Sequence, residues 1–399
     1  MATLRPADGT MSLRGLSFLG IPASPTGSAQ PLASTSTRLV SLDVFRGAVI
    51  AAMILVNSQS PPDAYRAFVH SAWHGLTFAD TIFPAFLFIV GVSLALSTAA
   101  RVERGEDQGR LVAHAVRRSA LLFASGVVID VLQFPSRAFP FFAFGDHLQL
   151  TGVLQKIAVC YFVAFLVYLR GGLRGVITAI VALNLVYLAF LFFYPVPGCG
   201  PGVLTTACNF PGYVDRVVLD GFRWDDPTRQ DPDGLGAILP AITSVLFGVL
   251  AAQVLRSGPR QRPRAVRLLG GGIGLMAAGA LLAIWVPVNK PLWTTSYAAL
   301  MGGLAAVGLA VSLWVVDVMH AGRWFKPLEI LGLNAIAAYL LSRPTTNVIE
   351  VHVRGMSLYT ILRGFASPPT ASLLFAMAAL LAVYCLIWLM HRAEWHLTF

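Results

Sequence analysis

Apolar stretches of about 17–25 residues recur along the chain from residue 39 onward, separated by shorter polar or Gly/Pro-rich segments. Each stretch is long enough to cross about 30 Å of hydrocarbon as an α-helix. The pattern therefore predicts an all-α fold, a polytopic membrane helix bundle with about 10 transmembrane helices. The predicted spans are 39–57, 79–98, 115–133, 150–169, 174–194, 236–255, 268–287, 295–316, 328–343 and 370–390.

The ninth span and the two chain ends depart from this pattern. The ninth is short because Asn334 interrupts it and Arg343-Pro344 stops it early, so residues 345–366 are expected to form an interfacial or re-entrant segment. The N-terminal segment is rich in Ser, Pro, Thr, Ala and Gly, a composition typical of disorder. The predicted organisation is a disordered cytoplasmic tail 1–37, a transmembrane domain 38–391 and a cytoplasmic C-terminal tail 392–399.

Composition and charge give the orientation of this bundle. The chain has 399 residues, of which 56% are hydrophobic and only 12% charged, whereas soluble domains carry about a quarter charged residues. The net charge of +10 would suggest a nucleic-acid partner in a soluble protein, but none is expected here. With a cytoplasmic N-terminus, 18 of the 29 Lys and Arg residues lie on the cytoplasmic side and nine on the other. The positive-inside rule then places both termini in the cytoplasm and loop 195–235 outside.

The four cysteines divide into two pairs. Cys199 and Cys208 lie in the long exoplasmic loop, an oxidising environment, and are predicted to form a disulfide bond. Cys160 and Cys385 lie in apolar helix sequence and are expected to be buried packing residues. The sequence has no Cys or His spacing typical of a zinc site, and no metal is expected.

The segment that joins the first two predicted helices gathers side chains suited to proton transfer. Asn57 closes the first helix, His70, Trp73 and His74 follow, and Asp80 opens the second helix. Histidine takes up a proton near neutral pH, and a neighbouring carboxylate fixes its tautomer and stabilises the imidazolium. A single exposed histidine carries little information, but two histidines near Asn and Asp favour a catalytic site.

Further polar residues are predicted on the same face. Asp233 precedes the sixth helix, where its carboxylate either caps the helix or holds a substrate. Asn289, Lys290 and Trp293 join the seventh and eighth helices. They are suited to binding a sugar, with the indole stacked on a ring, although an interfacial Trp is commonly only a membrane anchor.

Charged residues also lie within the helices and toward the cytoplasmic face. Asp43 and Arg46 share one face of the first helix, and an ion pair that locks two helices is as good an interpretation as ligand binding. Lys156 either extends to the interface or faces a wet cavity. Arg117 and Arg118 are first of all topology determinants, and they could also attract a polyphosphate cofactor or lipid headgroups.

Four blocks in the first part of the chain resemble the heparan-alpha-glucosaminide N-acetyltransferase family of transmembrane acyltransferases. They are Ser41–Gly47, Leu55–Asn57, His70–Asp80 and Phe83–Gly91. Weaker blocks extend the resemblance over about residues 38–391: Gly152–Lys156, Pro240–Ile242, Val288–Trp293 and Leu331–Ala335.

The resemblance implies an acyltransferase that moves the acetyl group of cytosolic acetyl-CoA to the amine of an exoplasmic glucosamine-type sugar. His70 matches the family's active-site histidine, and Asn57 matches the asparagine that closes the preceding helix. His74 stands where the animal enzyme has Asn, and the large N-terminal lumenal domain of that enzyme is not expected in this chain, so the acceptor stays open. His70 is expected to act either as general base or as a transient acetyl carrier.

Combining the resemblance with the polar clusters assigns expected roles. The catalytic residues are His70, Asn57 and Asp80; the substrate-binding residues are His74, Trp73, Asp233, Asn289, Lys290 and Trp293; the residues for the acetyl-CoA cosubstrate are Asp43, Arg46, Lys156, Arg117 and Arg118. The expected location is a bacterial inner membrane, with an amino sugar and membrane lipid as partners and a homodimer left open. The competing function is a permease for an amino sugar or its N-acetylated form.

Overall fold

A computed structural model describes residues 39–60, 62–133, 150–219, 231, 233–258, 260–350, 357–395 and 397. The predicted tail 1–37 lies outside these residues, as do 220–230 of the predicted exoplasmic loop. The regular structure of the described residues is helical, which agrees with the predicted all-α class. The α-helices are α1 Val40–Asn57, α2 Phe78–Glu103, α3 Gln108–Gln133, α4 Val153–Phe193, α5 Phe210–Val218, α6 Ile238–Arg256, α7 Gln261–Leu282, α8 Thr295–Leu313, α9 Lys326–Leu333, α10 Ala335–Glu350, α11 Leu358–Arg363 and α12 Pro368–Arg392.

Among the described residues, eight helices are long and apolar enough to cross a membrane. The count differs from the ten predicted, partly because α4 is a single 41-residue element that contains two of the predicted spans. Gly172 interrupts α4 with a left-handed φ of 54°, a conformation that glycine adopts without steric cost. The break lies between the spans predicted over 150–169 and 174–194, so α4 supplies both of them.

The ninth predicted span consists of two shorter helices. α9 and α10 meet at Asn334, which is the interruption expected from the sequence. The expected stop at Pro344 is wrong, because α10 continues through this proline to Glu350. Proline removes one backbone donor, and nearby hydroxyl groups help to satisfy the carbonyls of such a helix. The carbonyl that loses its donor is that of Leu340, four residues before Pro344. On either side of it the hydroxyl groups of Ser342 and Thr346 donate to the carbonyls of Tyr339 and Ser342.

Glycine pairs bring the central helices into close contact. A Cβ atom on Gly47 of α1 would overlap the carbonyl of Leu328 in α9, and one on Gly332 would overlap the carbonyl of Asp43. Small residues at helix crossings allow backbones to approach closely, which is the usual packing device where hydrophobic burial alone does not drive association. The close α1–α9 crossing fixes the position of the Asp43–Arg46 segment relative to the break at Asn334.

The cysteine predictions are confirmed in three of four positions. Cys199 and Cys208 are disulfide-bonded, with the sulfur atoms 2.04 Å apart, in the loop between α4 and α5. Cys160 is fully buried, as expected. Cys385 is exposed on α12, so its predicted burial is wrong. A helix that crosses a membrane has apolar residues on its lipid-facing side too, and apolar sequence context therefore cannot distinguish that side from the core.

Candidate active site

The first turn of α2 places a buried carboxylate at the centre of the predicted site. Thr77 and Asp80 form a capping box, in which the Asp80 carboxylate accepts hydrogen bonds from the Thr77 backbone amide at 3.1 Å and hydroxyl group at 3.0 Å. The Ser71 amide donates to the same oxygen at 3.1 Å. The Asp80 side chain is 1% exposed, so these bonds hold its charge in a fixed place.

His70 completes this group. Its Nδ1 lies 2.8 Å from Asp80 Oδ1, while its side chain is 52% exposed. In the neutral ring this contact favours the hydrogen on Nδ1, which then donates to the buried carboxylate and leaves Nε2 as the basic nitrogen. Asp80 therefore orients the ring and its tautomer, and an accessible Nε2 is available as a base.

Lys290 brings a positive charge to the same pair from the segment between α7 and α8. Its Nζ lies 3.1 Å from His70 Nδ1 and 3.6 Å from Asp80 Oδ1. One ring nitrogen cannot donate to Asp80 and accept from Lys290 at the same moment, so these contacts are alternatives. Burial lowers the pKa of Lys290, an effect that the carboxylates of Asp80 and Asp233 oppose.

The loop between α1 and α2 carries His70, Trp73 and His74 and is called the histidine loop. Asn289 holds this loop in position against the segment between α7 and α8. The fully buried Asn289 donates from Nδ2 to the Trp73 carbonyl at 3.0 Å, and the same nitrogen lies 3.2 Å from His74 Nδ1. Its Oδ1 accepts from the Leu292 amide at 2.8 Å. His74 stays exposed, and partial burial lowers its pKa.

The loop that the sequence predicts to be exoplasmic also contacts the histidine loop. Trp73 Nε1 donates to the carbonyl of Leu204 at 2.8 Å, between the two bonded cysteines. The disulfide-bonded segment therefore contacts the site directly. Asn57, by contrast, is exposed at the end of α1, and no described contact joins it to His70 or Asp80.

Trp293 and Lys156 lie beneath the polar group formed by His70, Asp80 and Lys290. The indole is fully buried and donates to Ser244 Oγ at 3.1 Å, so it packs inside the bundle rather than presenting a face to solvent. Lys156, only 3% exposed, places Nζ 4.6 Å from the centre of the indole ring system. The ammonium group thus makes a cation–π contact with the buried indole.

Asp233 lies on a short loop before α6, near enough to His70, Lys156 and Lys290 for their positive charges to oppose the rise in its pKa that burial causes. Its backbone amide donates to Asp231 Oδ1 at 2.8 Å, and Asp231 also accepts from the hydroxyl group of Thr151. The structure thus collects His70, Asp80, Lys290 and Asp233 from four separate segments of the chain.

A cavity of about 310 Å³ lies between α1, α2, α3, α4 and the α9–α10 junction. Most of its lining is apolar, but Arg46, Ser93 and Arg118 also line it. Arg46 donates to Asp43 at 3.1 Å, to the Gly332 carbonyl at 3.2 Å and to Ser93 Oγ at 2.9 Å. Arg118 lies 5.0 Å from the ring centre of Tyr161, and its buried Nε has no hydrogen-bond partner. Guanidinium groups in such a setting favour an anionic ligand.

The residues predicted to bind the cosubstrate are therefore divided. Arg46 and Arg118 line the cavity, and Asp43 orients Arg46. Arg117 is exposed on α3 and does not line it. Lys156 lies beside Trp293, although its neighbours Val153, Leu154 and Ile157 line the cavity. The first turns of α4 thus lie between the cavity and the polar group.

Two contributors to the site have no signal in the sequence pattern. Tyr297 donates from its hydroxyl group to the backbone carbonyl of Asp80 at 2.7 Å, and Ser244 holds Trp293. Both lie in apolar helices, where a buried hydroxyl group looks like ordinary packing. Thr77 was detectable, because Thr-x-x-Asp before an apolar run is a capping pattern. In the part of the chain that is described, no three His, Cys, Asp or Glu side chains are grouped to hold a metal ion.

Comparisons with known proteins identify relatives of this arrangement. The family model described as heparan-alpha-glucosaminide N-acetyltransferase, catalytic, matches residues 38–279, which is more than half of the chain. Heparan-alpha-glucosaminide N-acetyltransferase from Mus musculus is 29% identical over 362 residues, covering 77% of this chain and 53% of that protein. The protein of the same name from Homo sapiens is 30% identical over 374 residues, with coverage of 79% and 54%. The chain spans about half the length of these curated relatives.

Proposed function

Because the chain belongs to the heparan-alpha-glucosaminide N-acetyltransferase catalytic family, we propose that it is a transmembrane N-acetyltransferase. In this proposal the acetyl group of cytosolic acetyl-CoA is transferred to the amine of a glucosamine-type sugar on the exoplasmic side of a bacterial inner membrane. The observation that carries the proposal is the Asp80–His70 pair, in which a buried carboxylate orients an accessible imidazole.

The arrangement of the two polar regions supports transfer across a membrane. Arg46 and Arg118 line the cavity, where they would pair with phosphate groups of the donor, and its apolar remainder suits an aliphatic arm. The first turns of α4 lie between this cavity and the polar group of His70, Asp80 and Lys290. A donor that enters through the cavity would therefore approach the histidine from the bundle interior. The acceptor would approach the exposed side of His70.

His70 Nε2 would take a proton from the attacking amine and return one to the sulfur of the leaving CoA. Alternatively, Nε2 would first accept the acetyl group and release CoA, and the amine would then attack the acetyl-imidazole. Asp80 stabilises the imidazolium or the acylated ring in either route, and Lys290 is close enough to stabilise negative charge on the acetyl oxygen. Asn57 is proposed to hold the acetyl carbonyl, a role that requires it to approach the bound donor.

The remaining residues of the proposed acceptor site have supporting roles. Asn289 and Trp73 fix the histidine loop, and His74 lies on its exposed surface. Trp293 supports Lys156 rather than stacking on a sugar, because its ring is buried.

The direct test is CoA release by the purified protein supplied with acetyl-CoA and glucosamine. We expect release that requires both substrates and that falls to background in His70→Ala, while His320→Ala, at the opposite end of the bundle, serves as the matched histidine control. Glucosamine uptake into liposomes that contain no acetyl-CoA would instead establish the permease and overturn the proposal. Rapid-quench labelling with radioactive acetyl-CoA alone separates the two routes, since only the second leaves acetyl on the protein.

A further inference from the structure

Asp233 differs from the other carboxylates around the site in how its side chain is satisfied. Asp80 accepts four hydrogen bonds, and Asp231 accepts from Thr151 and from the Asp233 amide. Asp215 accepts from the Gly236 amide at 2.8 Å. Within the described residues, no donor reaches the Asp233 carboxylate. Asp215 Oδ2 also has no partner, but Asp215 is buried, whereas Asp233 is half-buried. Asp233 is therefore the carboxylate of this group whose remaining acceptor capacity a ligand can reach.

The backbone that carries Asp233 is held in one position. A Cβ atom on Gly234 would overlap the Asp215 carboxylate, and one on Gly236 would overlap the backbone of Pro211 in α5. The Asp233 amide is in turn fixed by Asp231. Close packing on both sides makes this loop a rigid support, which is what a positioned base requires.

The charges around Asp233 come from three other elements. His70 lies on the histidine loop, Lys156 on α4 and Lys290 between α7 and α8, with Asp231 on the same loop. Burial raises the pKa of Asp233 to about 6, and Lys156, Lys290 and His70 oppose that rise. The group is thus ionised near neutral pH and is still a stronger base than an ordinary carboxylate.

The chemistry of the acceptor needs a second proton acceptor. An aliphatic amine reaches the site mainly as an ammonium ion, whose nitrogen has no lone pair for attack on a thioester. Amide formation removes two protons from that nitrogen, and one base in one protonation state takes up only one of them. The buried carboxylate of Asp80 is already saturated with donors and covered by His70.

We propose that Asp233 binds the acceptor's ammonium group and takes its first proton, so that His70 handles only the second. This rests on the proposed acetyltransferase function. The ammonium N–H bond breaks and its proton moves to the Asp233 carboxylate, which later releases it to water. The free amine forms the N–C bond to the acetyl carbon, the C–S bond breaks, and the second proton passes through His70 to the CoA sulfur. The products are the N-acetylated amine, CoA and one released proton.

The test is the pH dependence of acetyl transfer in Asp233→Asn. We expect kcat/KM with glucosamine to fall about 10²–10⁴-fold near neutral pH, which is the range of a lost general base. The fall should come from a lower kcat as well as from a higher KM. The activity deficit of the variant should shrink from about pH 6.5 to about pH 9.5. An acceptor amine with the pKa of an ordinary α-amino group loses its own proton across that range. Asp233→Glu should restore part of the activity.

Hydroxylamine provides the matched acceptor, since it is uncharged near neutral pH and needs no initial deprotonation. Asp233→Asn should acetylate hydroxylamine at close to the wild-type rate, which also shows that the variant is folded. Asp215→Asn is the matched control, because it neutralises a neighbouring carboxylate that binds the Gly236 amide. Any loss of activity that it causes should be constant over the same pH range and equal for both acceptors.

A deficit in Asp233→Asn that is equal at every pH and for both acceptors would overturn the assignment of Asp233 and leave the acetyltransferase intact. Absence of His70-dependent CoA release in the wild-type protein is a different result, which removes the proposed function and this role together.

Discussion

Two regions of the bundle contain charged groups: the histidine end, formed by His70, Asp80 and Lys290, and the cavity lined by Arg46 and Arg118. The charged groups have different partners in the two regions. Around His70, a nearly inaccessible carboxylate binds a half-exposed imidazole, and a lysine contacts both. In the cavity, guanidinium groups of Arg46 and Arg118 line an apolar space. Fixed acid–base pairs that reach solvent are suited to moving protons, whereas guanidinium groups along an apolar wall are suited to holding an anionic ligand. The difference predicts that substitutions at the first region impair turnover and those at the second impair donor binding.

The largest effect is expected from Asp80→Asn. The amide cannot stabilise the imidazolium and would favour the wrong tautomer, so kcat should fall about 10³–10⁴-fold, the scale seen when a triad carboxylate is neutralised. His70→Ala/Asp80→Asn should be no worse than His70→Ala, because groups that act as one unit lose activity non-additively. Steady-state kinetics of the single and double variants measure this. Independent, multiplying losses would mean that Asp80 acts only as the cap of α2.

Local sequence signals predicted this pair, but long-range contacts completed it. The Thr77-x-x-Asp80 cap places the carboxylate at the start of α2, and His70 lies only ten residues earlier. Lys290 contacts His70 across 220 residues, a separation that no periodicity encodes. The same limit applies to Trp293, whose indole is an interfacial anchor by its sequence position and is buried in the structure.

Helix boundaries show a similar division. Length and hydropathy predicted the apolar spans, and Gly172 lies where two of them join within α4. Pro344 was misleading because a proline removes a single backbone hydrogen bond, and a helix packed inside a membrane bundle can continue past that loss. Exposure of Cys385 was not predictable either, since the core-facing and lipid-facing sides of α12 are both apolar.

A smaller effect of a different kind is expected at the cavity. Arg118→Ala should raise KM for acetyl-CoA about 10–100-fold with a lesser change in kcat, because a hydrogen bond from a charged group contributes about 1.5–3 kcal/mol. Arg118→Lys should recover part of the affinity. Arg117→Ala removes the exposed neighbouring charge and should have the smaller effect on KM. Equal effects of the two alanine variants would show that only the overall positive charge of α3 matters.

The disulfide offers a way to disturb the histidine end without touching its acid–base pair. Cys199→Ser/Cys208→Ser frees the segment whose Leu204 carbonyl holds Trp73. Closing a loop of this size contributes about 2–3 kcal/mol in chain-entropy terms. The expected result is a lower apparent melting temperature in detergent and a higher KM for the acceptor, with KM for acetyl-CoA unchanged. A matching rise in the donor KM would mean that the two regions are coupled through this loop.

The smallest effect is expected from the pH dependence of stability at Asp215. Burial, with a contribution from Asp231, raises the pKa of Asp215 to about 6 from an ordinary 3.8, an effect that the Gly236 amide and Lys156 oppose. An acid with a raised pKa binds more protons when folded, so its contribution to stability falls as pH rises between these values and the loss is complete above about 6. Asp215→Asn removes this penalty while keeping an oxygen for Gly236.

Melting curves of Asp215→Asn and the wild-type protein should therefore separate at pH 8 and converge near pH 4, with the variant more stable at pH 8 by on the order of 1–2 kcal/mol. The same comparison at the cavity, with Arg118→Ala, should show no such convergence, because a guanidinium group stays protonated throughout this range. A variant that is less stable than wild type at pH 8 would mean that the Asp215 charge stabilises the loop before α6. The Asp215 carboxylate would then serve as a counter-charge to Lys156, and not only as a neighbour that holds the loop of Asp233 in place.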